Sequence, residues 1–119
     1  MKNSSPCRPE SVIENEILEW LAMSGTGFYW KNVSGGFFDG AKFRKHTSRF
    51  AINGTSDILG ITNLGAFVAL EVKNDKGVVS AAQLAFIKKV QGCGGLACVV
   101  RSVDHTKESF LKWGLILKV

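Results

Sequence analysis

The sequence predicts a single α/β domain, residues 1–119, whose elements run α-β-β-β-α-β and end in a tail. Three observations carry that prediction. The chain has 119 residues, 45% of them apolar, which is enough for one compact core and too few for two domains of ordinary size. It contains no internal repeat, low-complexity tract or linker. Segments with helical spacing of apolar residues alternate with short runs of β-formers bounded by glycine and asparagine.

The first helix is expected from Glu10 to about Ser24, with Pro9 suited to its first turn. Projected at about 100° per residue, Ile13, Ile17, Trp20 and Leu21 form the buried stripe. Glu10 and Glu14 fall within that stripe, whereas Glu16 and Glu19 fall on the solvated side. Phe28 to Asn32 is a short aromatic strand. From Val33 to Gly54 the glycines Gly35, Gly36, Gly40 and Gly54 and the run Lys42-Phe43-Arg44-Lys45-His46-Thr47-Ser48-Arg49-Phe50 predict a long, basic, partly mobile excursion.

Ser56–Thr62 and Ala66–Lys73 are two strands joined by the three-residue loop Asn63-Leu64-Gly65, with glycine at its end. Ser80-Ala81-Ala82-Gln83 opens a second helix with a capping-box pattern. Leu84, Ile87 and Val90 are its expected inward face, and Gly92-Cys93-Gly94-Gly95 ends it. Leu96–Arg101 is a continuous apolar strand, Asp104–Trp113 a third helix, and residues 114–119 a terminal strand.

No run approaches the ~20 apolar residues of a membrane span, and the first residues lack the apolar stretch of a signal peptide, so a cytoplasmic protein with no membrane partner is expected. Cys7, Cys93 and Cys98 are odd in number and lack Cys-x-x-Cys spacing, which predicts buried or incidental thiols. The net charge of +5 suits a polyanionic partner.

If Thr62 faces Ala66 across the hairpin loop, counting outwards sets Asp57 directly opposite Glu71. Carboxylates so opposed lie about 5 Å apart at Cβ and repel one another. A hard divalent cation such as Mg²⁺ offsets the repulsion by taking oxygens from both. Lys73 follows Glu71 by two residues, so strand alternation brings its ammonium to the same face. Such a group, with the ion on a phosphate, can polarise phosphorus and activate water while the lysine orients that water or meets developing charge. The bland reading is a surface hairpin carrying solvated charges. Against it, Val68-Ala69-Leu70-Glu71-Val72-Lys73 is mostly apolar on both faces, as in a central strand.

Inward carboxylates at Glu10 and Glu14 need partners; the alternatives are a favourable place at the positive helix N-terminus for Glu10 and a rim position for Glu14. Gln83 is explained by the capping box alone, and His46 and His105 receive no catalytic role. Lys42, Arg44, Lys45 and Arg49 are candidates for DNA phosphates, with Phe43 or Phe50 packing on sugar, base or core.

Taken together, the motifs resemble the virus-type replication-repair nuclease family (VRR-NUC), a branch of the PD-(D/E)XK superfamily, over nearly the whole chain. The likeness runs through Glu10-Ser11-Val12-Ile13-Glu14, Gly54-Thr55-Ser56-Asp57, Glu71-Val72-Lys73, Gly77-Val78-Val79-Ser80-Ala81-Ala82-Gln83 and Gly94–Ser102. The resemblance implies a restriction-endonuclease-like αβββαβ core with a central mixed four-stranded sheet flanked by helices. It implies Asp57, Glu71 and the Val72 carbonyl as ligands of Mg²⁺, with Mn²⁺ as a substitute, Lys73 as the catalytic lysine and Gln83 as a supporting residue. Glu10 becomes the first-helix acid reaching the metal directly or through water, and Glu14, standing where the family often has glutamine, is the other candidate for that ligand.

Stand-alone family members are small phage or bacterial proteins resembling dimeric Holliday-junction resolvases, which implies a homodimer acting on branched DNA in a bacterial or phage-infected cytoplasm. Phe37, Phe38, Trp113 and Leu115–Leu117 are candidates for the interface or the core. The expected function is thus a structure-selective endodeoxyribonuclease. The alternatives are a non-catalytic DNA-binding or assembly module on the same fold, and a nuclease specific for flaps, single strands or duplex sites.

Overall fold

The computed structural model describes residues 7–33, 36–39, 42–45 and 49–119; side chains between 34 and 48 lie outside the described residues. In chain order the elements are α1 (Glu10–Ser24), β1 (Gly27–Lys31), β2 (Gly36–Asp39), β3 (Lys42–Lys45), β4 (Ile58–Thr62), β5 (Phe67–Val72), α2 (Ala81–Gly92), β6 (Leu96–Val100) and α3 (Val103–Lys112). Strands β1, β4, β5 and β6 form one sheet in the order β1-β4-β5-β6. The first two pairings are antiparallel and β5 runs parallel to β6. The sheet is therefore mixed and four-stranded with helices on both faces, the α/β arrangement expected from the element order.

Local chemistry accounts for the boundaries. The Pro9 carbonyl accepts from Val12 and Ile13 at the start of α1, and the helix stops at Gly25, whose φ of 71° is a left-handed cap that glycine adopts without a Cβ penalty. The Thr62 amide donates to the Ala66 carbonyl, closing the loop before β5. Pairing outwards from there gives Ile61↔Phe67 and Ile58↔Leu70, the predicted register. Ser80 caps α2 by accepting from the Gln83 amide at 3.1 Å, and Gln83 Oε1 accepts from the Ser80 amide at 2.9 Å.

One face of the sheet packs on α1 and α3 through Ile13, Ile17, Trp20, Leu21, Ile58, Val68, Leu70, Val72, Val100 and Phe110. The other packs on α2 through Ala69, Ile87 and Ala97, with Leu59, Phe86, Val90 and Val99 around them. The projected stripe of α1 is thus its buried face. Among the described residues, no helix is long and apolar enough to cross a membrane.

Three expectations are corrected. Residues 114–119 are not a strand: the Lys118 amide donates to the Ser24 carbonyl and Trp20 Nε1 to the Val119 carbonyl, so this tail packs on the end of α1 rather than on a sheet edge. Leu84 is exposed rather than inward, because the α2 stripe that meets the sheet runs through Gln83, Phe86, Ile87 and Val90. The basic stretch is not one long loop, since β2 and β3 pair antiparallel with Phe38 opposite Phe43.

Trp113, Leu115 and Leu117 pack on the α1–α3 core, while Phe37 and Phe38 have side chains outside the described residues. The three cysteines are free; Cys93 is exposed and Cys7 and Cys98 are half-buried.

Candidate active site

The polar residues singled out by motif gather where β4 begins and β5 ends. Strand pairing stops at Ile58↔Leu70, one step short of Asp57 and Glu71. In place of a further ladder bond, Asp57 Oδ2 accepts from the Val72 amide at 2.8 Å. The carboxylate therefore does the work of a strand partner and is fixed beside Glu71. The ladder with β6 runs one residue further, with the Lys73 amide donating to the Val100 carbonyl, so alternation directs Lys73 to the Glu71 side of the sheet.

Glu71 is 1% exposed. Its Oε2 accepts from Gln83 Nε2 at 3.2 Å, and its Oε1 is buried with no hydrogen-bond partner. Burial, followed by the adjoining Asp57 carboxyl, which accepts a proton held on Glu71 and repels its charge, pushes the Glu71 carboxyl up to about 8; the Lys73 ammonium opposes the rise and Glu10 adds to it. In the absence of a cation Glu71 is therefore largely protonated near neutral pH. Gln83 fulfils both duties considered for it: its oxygen closes the helix cap and its nitrogen holds Glu71.

Glu10 and Glu14 turn inward with different partners. Glu10 Oε2 accepts from the Asn74 amide at 3.3 Å, and Glu14, buried in α1, is ion-paired with Lys31 at 3.2 Å. A cleft of about 250 Å³ opens between α1 and the sheet, lined by Glu10, Ser11, Glu14, Lys31, Asn32, Asp57 and Val72. Asp57 thus borders both the cleft and Glu71.

The segment after Lys73 is bracketed from two sides. Arg101 Nη1, at the end of β6, donates to the carbonyls of Asn74 and Gly77. A Cβ on Gly77 would stand 2.6 Å from Glu10 Oε2 and 3.0 Å from Lys73 Cδ, so the absent side chain leaves room for both. Gly54, at φ 77°, lies so close to the start of α2 that a Cβ would meet the Ala82 carbonyl carbon at 2.4 Å. This contact sets the approach to Asp57 against the helix that carries Gln83.

The donor set suits a hard divalent ion. It fits in one respect that geometry makes specific: a buried carboxyl oxygen without a partner stands beside a second carboxylate, an arrangement whose repulsion only a proton or a cation relieves. Among the described residues no three His, Cys, Asp or Glu side chains form a ligand group by themselves. An ion here would rest on Asp57 and Glu71, with backbone and water oxygens completing the shell. Ser56 Oγ is likewise buried without a partner, next to Asp57.

Of the basic residues, Arg49 is exposed with its guanidinium 4.7 Å above the Phe50 ring; the side chains of Lys42, Arg44 and Lys45, and all of His46, lie outside the described residues. His105 Nδ1 accepts from the Arg101 amide, a structural role. Sequence reasoning missed Lys31, Asn32, Asn74 and Arg101. Asn32 donates from its side chain to Thr55 Oγ1 and from its amide to the Asp57 carbonyl. No motif spacing links these residues to the acids, and only the order of strands brings them together. A scan of protein-family models and a search of curated proteins return no match to this chain.

Proposed function

We propose that the protein is a metal-dependent endodeoxyribonuclease of the virus-type replication-repair kind, with Asp57, Glu71 and Lys73 at its chemical centre. The observation that carries the reading is the buried, unpartnered oxygen of Glu71 beside Asp57, on the strand that leads into Lys73. Asp57, Glu71 and the Val72 carbonyl are the groups that would hold Mg²⁺ or Mn²⁺. A bound divalent ion supplies positive charge that polarises a phosphodiester and acidifies water.

The remaining work falls to the chain itself. Gln83 holds the Glu71 carboxylate in one orientation. Lys73 orients the attacking water or meets negative charge as it develops on the phosphate. In the hydrolysis a water oxygen bonds to phosphorus, and one ester oxygen leaves and takes up a proton. Glu10, tied to the Asn74 amide, adds a carboxylate at the entrance of the lysine-bearing segment. The net charge of +5 and the basic hairpin suit a DNA backbone. Branched DNA as substrate, a homodimer placing two sites on opposite strands, and action in a bacterial or phage-infected cytoplasm belong to the proposal through the family resemblance.

The test is cleavage of labelled four-way junction, flap, single-stranded and linear duplex DNA with Mg²⁺, Mn²⁺ or EDTA, by wild type, Lys73→Ala and Asp57→Ala. Metal-dependent paired cuts across the junction, abolished in both variants while their melting remains cooperative, are expected. Preferential cutting of another substrate keeps the site and replaces the specificity. Binding without cleavage under any ion would make the chain a non-catalytic DNA-binding module, and cutting that survives both substitutions would refute the assigned site.

A further inference from the structure

We propose that the exposed aromatic side of β1 is a stacking platform for unpaired nucleotides adjoining the cut, an inference that rests on the nuclease reading above. Residues alternate along β1: Tyr29 turns inward, its ring 5.9 Å from that of Phe110. Phe28 and Trp30 therefore point to the opposite face, the one that carries Glu71 and α2. Helix α2 covers Ala69 and Ala97 there and leaves the β1 side open, with Phe28 69% and Trp30 37% exposed. Phe28 lies across from Ile61, which lies across from Phe67, and both of these are also exposed. The result is an apolar row ending in an aromatic pair whose centroids are 5.4 Å apart.

Position ties this platform to the candidate site. The Asn32 amide donates to the Asp57 carbonyl, and Trp30 precedes Asn32 by two residues on the same face. At the rise of an extended strand, Trp30 stands about 7 Å and Phe28 about 14 Å from the Asp57 row. Lys31 follows Trp30 and, by the same alternation, turns to the other face of the sheet, where it pairs with Glu14. Exposed rings at a sheet surface, in a chain of net charge +5, suit single strands, whose bases stack on aromatic faces and whose phosphates are drawn to positive charge.

Area favours unpaired nucleotides over a second copy of the chain. The exposed part of the row amounts to roughly 400 Å², given side chains that bury about 150–250 Å² each when covered. That is about half of what each partner of a standard interface buries, ~800 Å². It is ample for two or three bases and small for a second copy of the chain.

The test separates binding from cutting. Affinity for a fluorescent oligo-dT and for a blunt duplex is measured by anisotropy in EDTA for wild type, Phe28→Ala, Trp30→Ala and Trp30→Phe, alongside melting curves and light scattering. Stacking is worth enough per base that each alanine variant should bind oligo-dT at least about fivefold more weakly. Duplex affinity should hold, and Trp30→Phe should keep most of the binding. Oligo-dT affinity unchanged in both alanine variants, or absent in wild type, overturns the platform. So does a dimer that dissociates in Phe28→Ala with oligo-dT binding intact, which would assign the face to a second copy. Cleavage of flap and junction DNA with Mg²⁺ is scored separately: ring-dependent binding in a protein that cuts nothing upholds the platform and refutes the nuclease reading.

Discussion

Replacing Glu71 with glutamine tests the electrostatics of the site without relying on any enzymatic readout. The side chain is buried, and its carboxyl is pushed from the ordinary range to about 8, first by burial and then by Asp57. A group whose pKa is raised on folding contributes stability that is complete below its unfolded value and is lost as pH rises through the folded one. For Glu71 that loss falls between about 4.5 and about 8. At pH 5 the carboxyl is protonated and Glu71→Gln is a near-isosteric exchange, so the two proteins should melt within about 2 °C of one another by the scaling for this chain length.

At pH 9 the wild type buries a charge with an unpaired oxygen, whereas the amide can donate to Asp57 and still accept from Gln83. The relief should be of the order of an unsatisfied buried polar group, about 1–3 kcal/mol, or roughly 4–12 °C in Tm. Melting in EDTA at pH 5, 7 and 9 measures it. Adding Mg²⁺ or Mn²⁺ at pH 8–9 should raise the wild-type Tm, by about 2.7 kcal/mol of stability at one hundred times Kd, and leave the variant nearly unmoved. A Tm difference independent of pH, or an equal metal response in both proteins, would refute the reasoning.

The other two predictions concern glycines that hold space open. Gly54→Ala places a Cβ 2.4 Å from the backbone of Ala82 in a residue at φ 77°, so the left-handed strain of ~1–2 kcal/mol adds to a backbone collision that cannot be relieved by turning a side chain. A loss of about 3 kcal/mol or more, read by chemical denaturation, is expected, and a stability within 1 kcal/mol of wild type would contradict the close approach. Gly77→Ala instead meets the movable end of Glu10 and the stem of Lys73. It should cost under about 1.5 kcal/mol yet lower the rate of DNA cleavage at least tenfold by displacing those two groups, so full activity would show that neither position matters to the chemistry.

What could be read from the chain was what local rules determine. The loop at Asn63–Gly65 sets the register of β4 and β5, and register alone sets Asp57 beside Glu71. The helical stripe of α1 follows from its spacing, and the Ser80–Gln83 cap from its motif. What stayed hidden depends on parts distant in sequence. The partner of Glu14 is Lys31 on β1, and Arg101 reaches back 27 and 24 residues to Asn74 and Gly77. The β2–β3 hairpin was masked by its glycines and charges, which read as a loop. Residues 115–117 have strand-like composition, yet packing Leu115 and Leu117 on the core satisfies the apolar side chains without a ladder.

Through its two hydrogen bonds the Gln83 side chain also constrains how the site can move. Its oxygen closes the first turn of α2 and its nitrogen holds Glu71, so the rotamer that caps the helix is the one that orients the carboxylate. Gly54 packs on the same turn, and the chain from Gly54 runs directly to Asp57. The N-terminus of α2 thus touches both acids' supports, Glu71 through a side chain and the approach to Asp57 through backbone contact, while the Val72 amide holds the Asp57 carboxylate itself. Lys73 and Glu10 are set independently, through the 73–77 segment and its Arg101 bracket. Lys73 itself ends the ladder with β6, its amide on the Val100 carbonyl, and the residues after it are tied to Arg8, Glu10 and Arg101 by four further hydrogen bonds. On the nuclease reading proposed above, moving the lysine relative to the acids would require breaking bonds of the 74–77 segment, whereas the acids stay where β4 and β5 end.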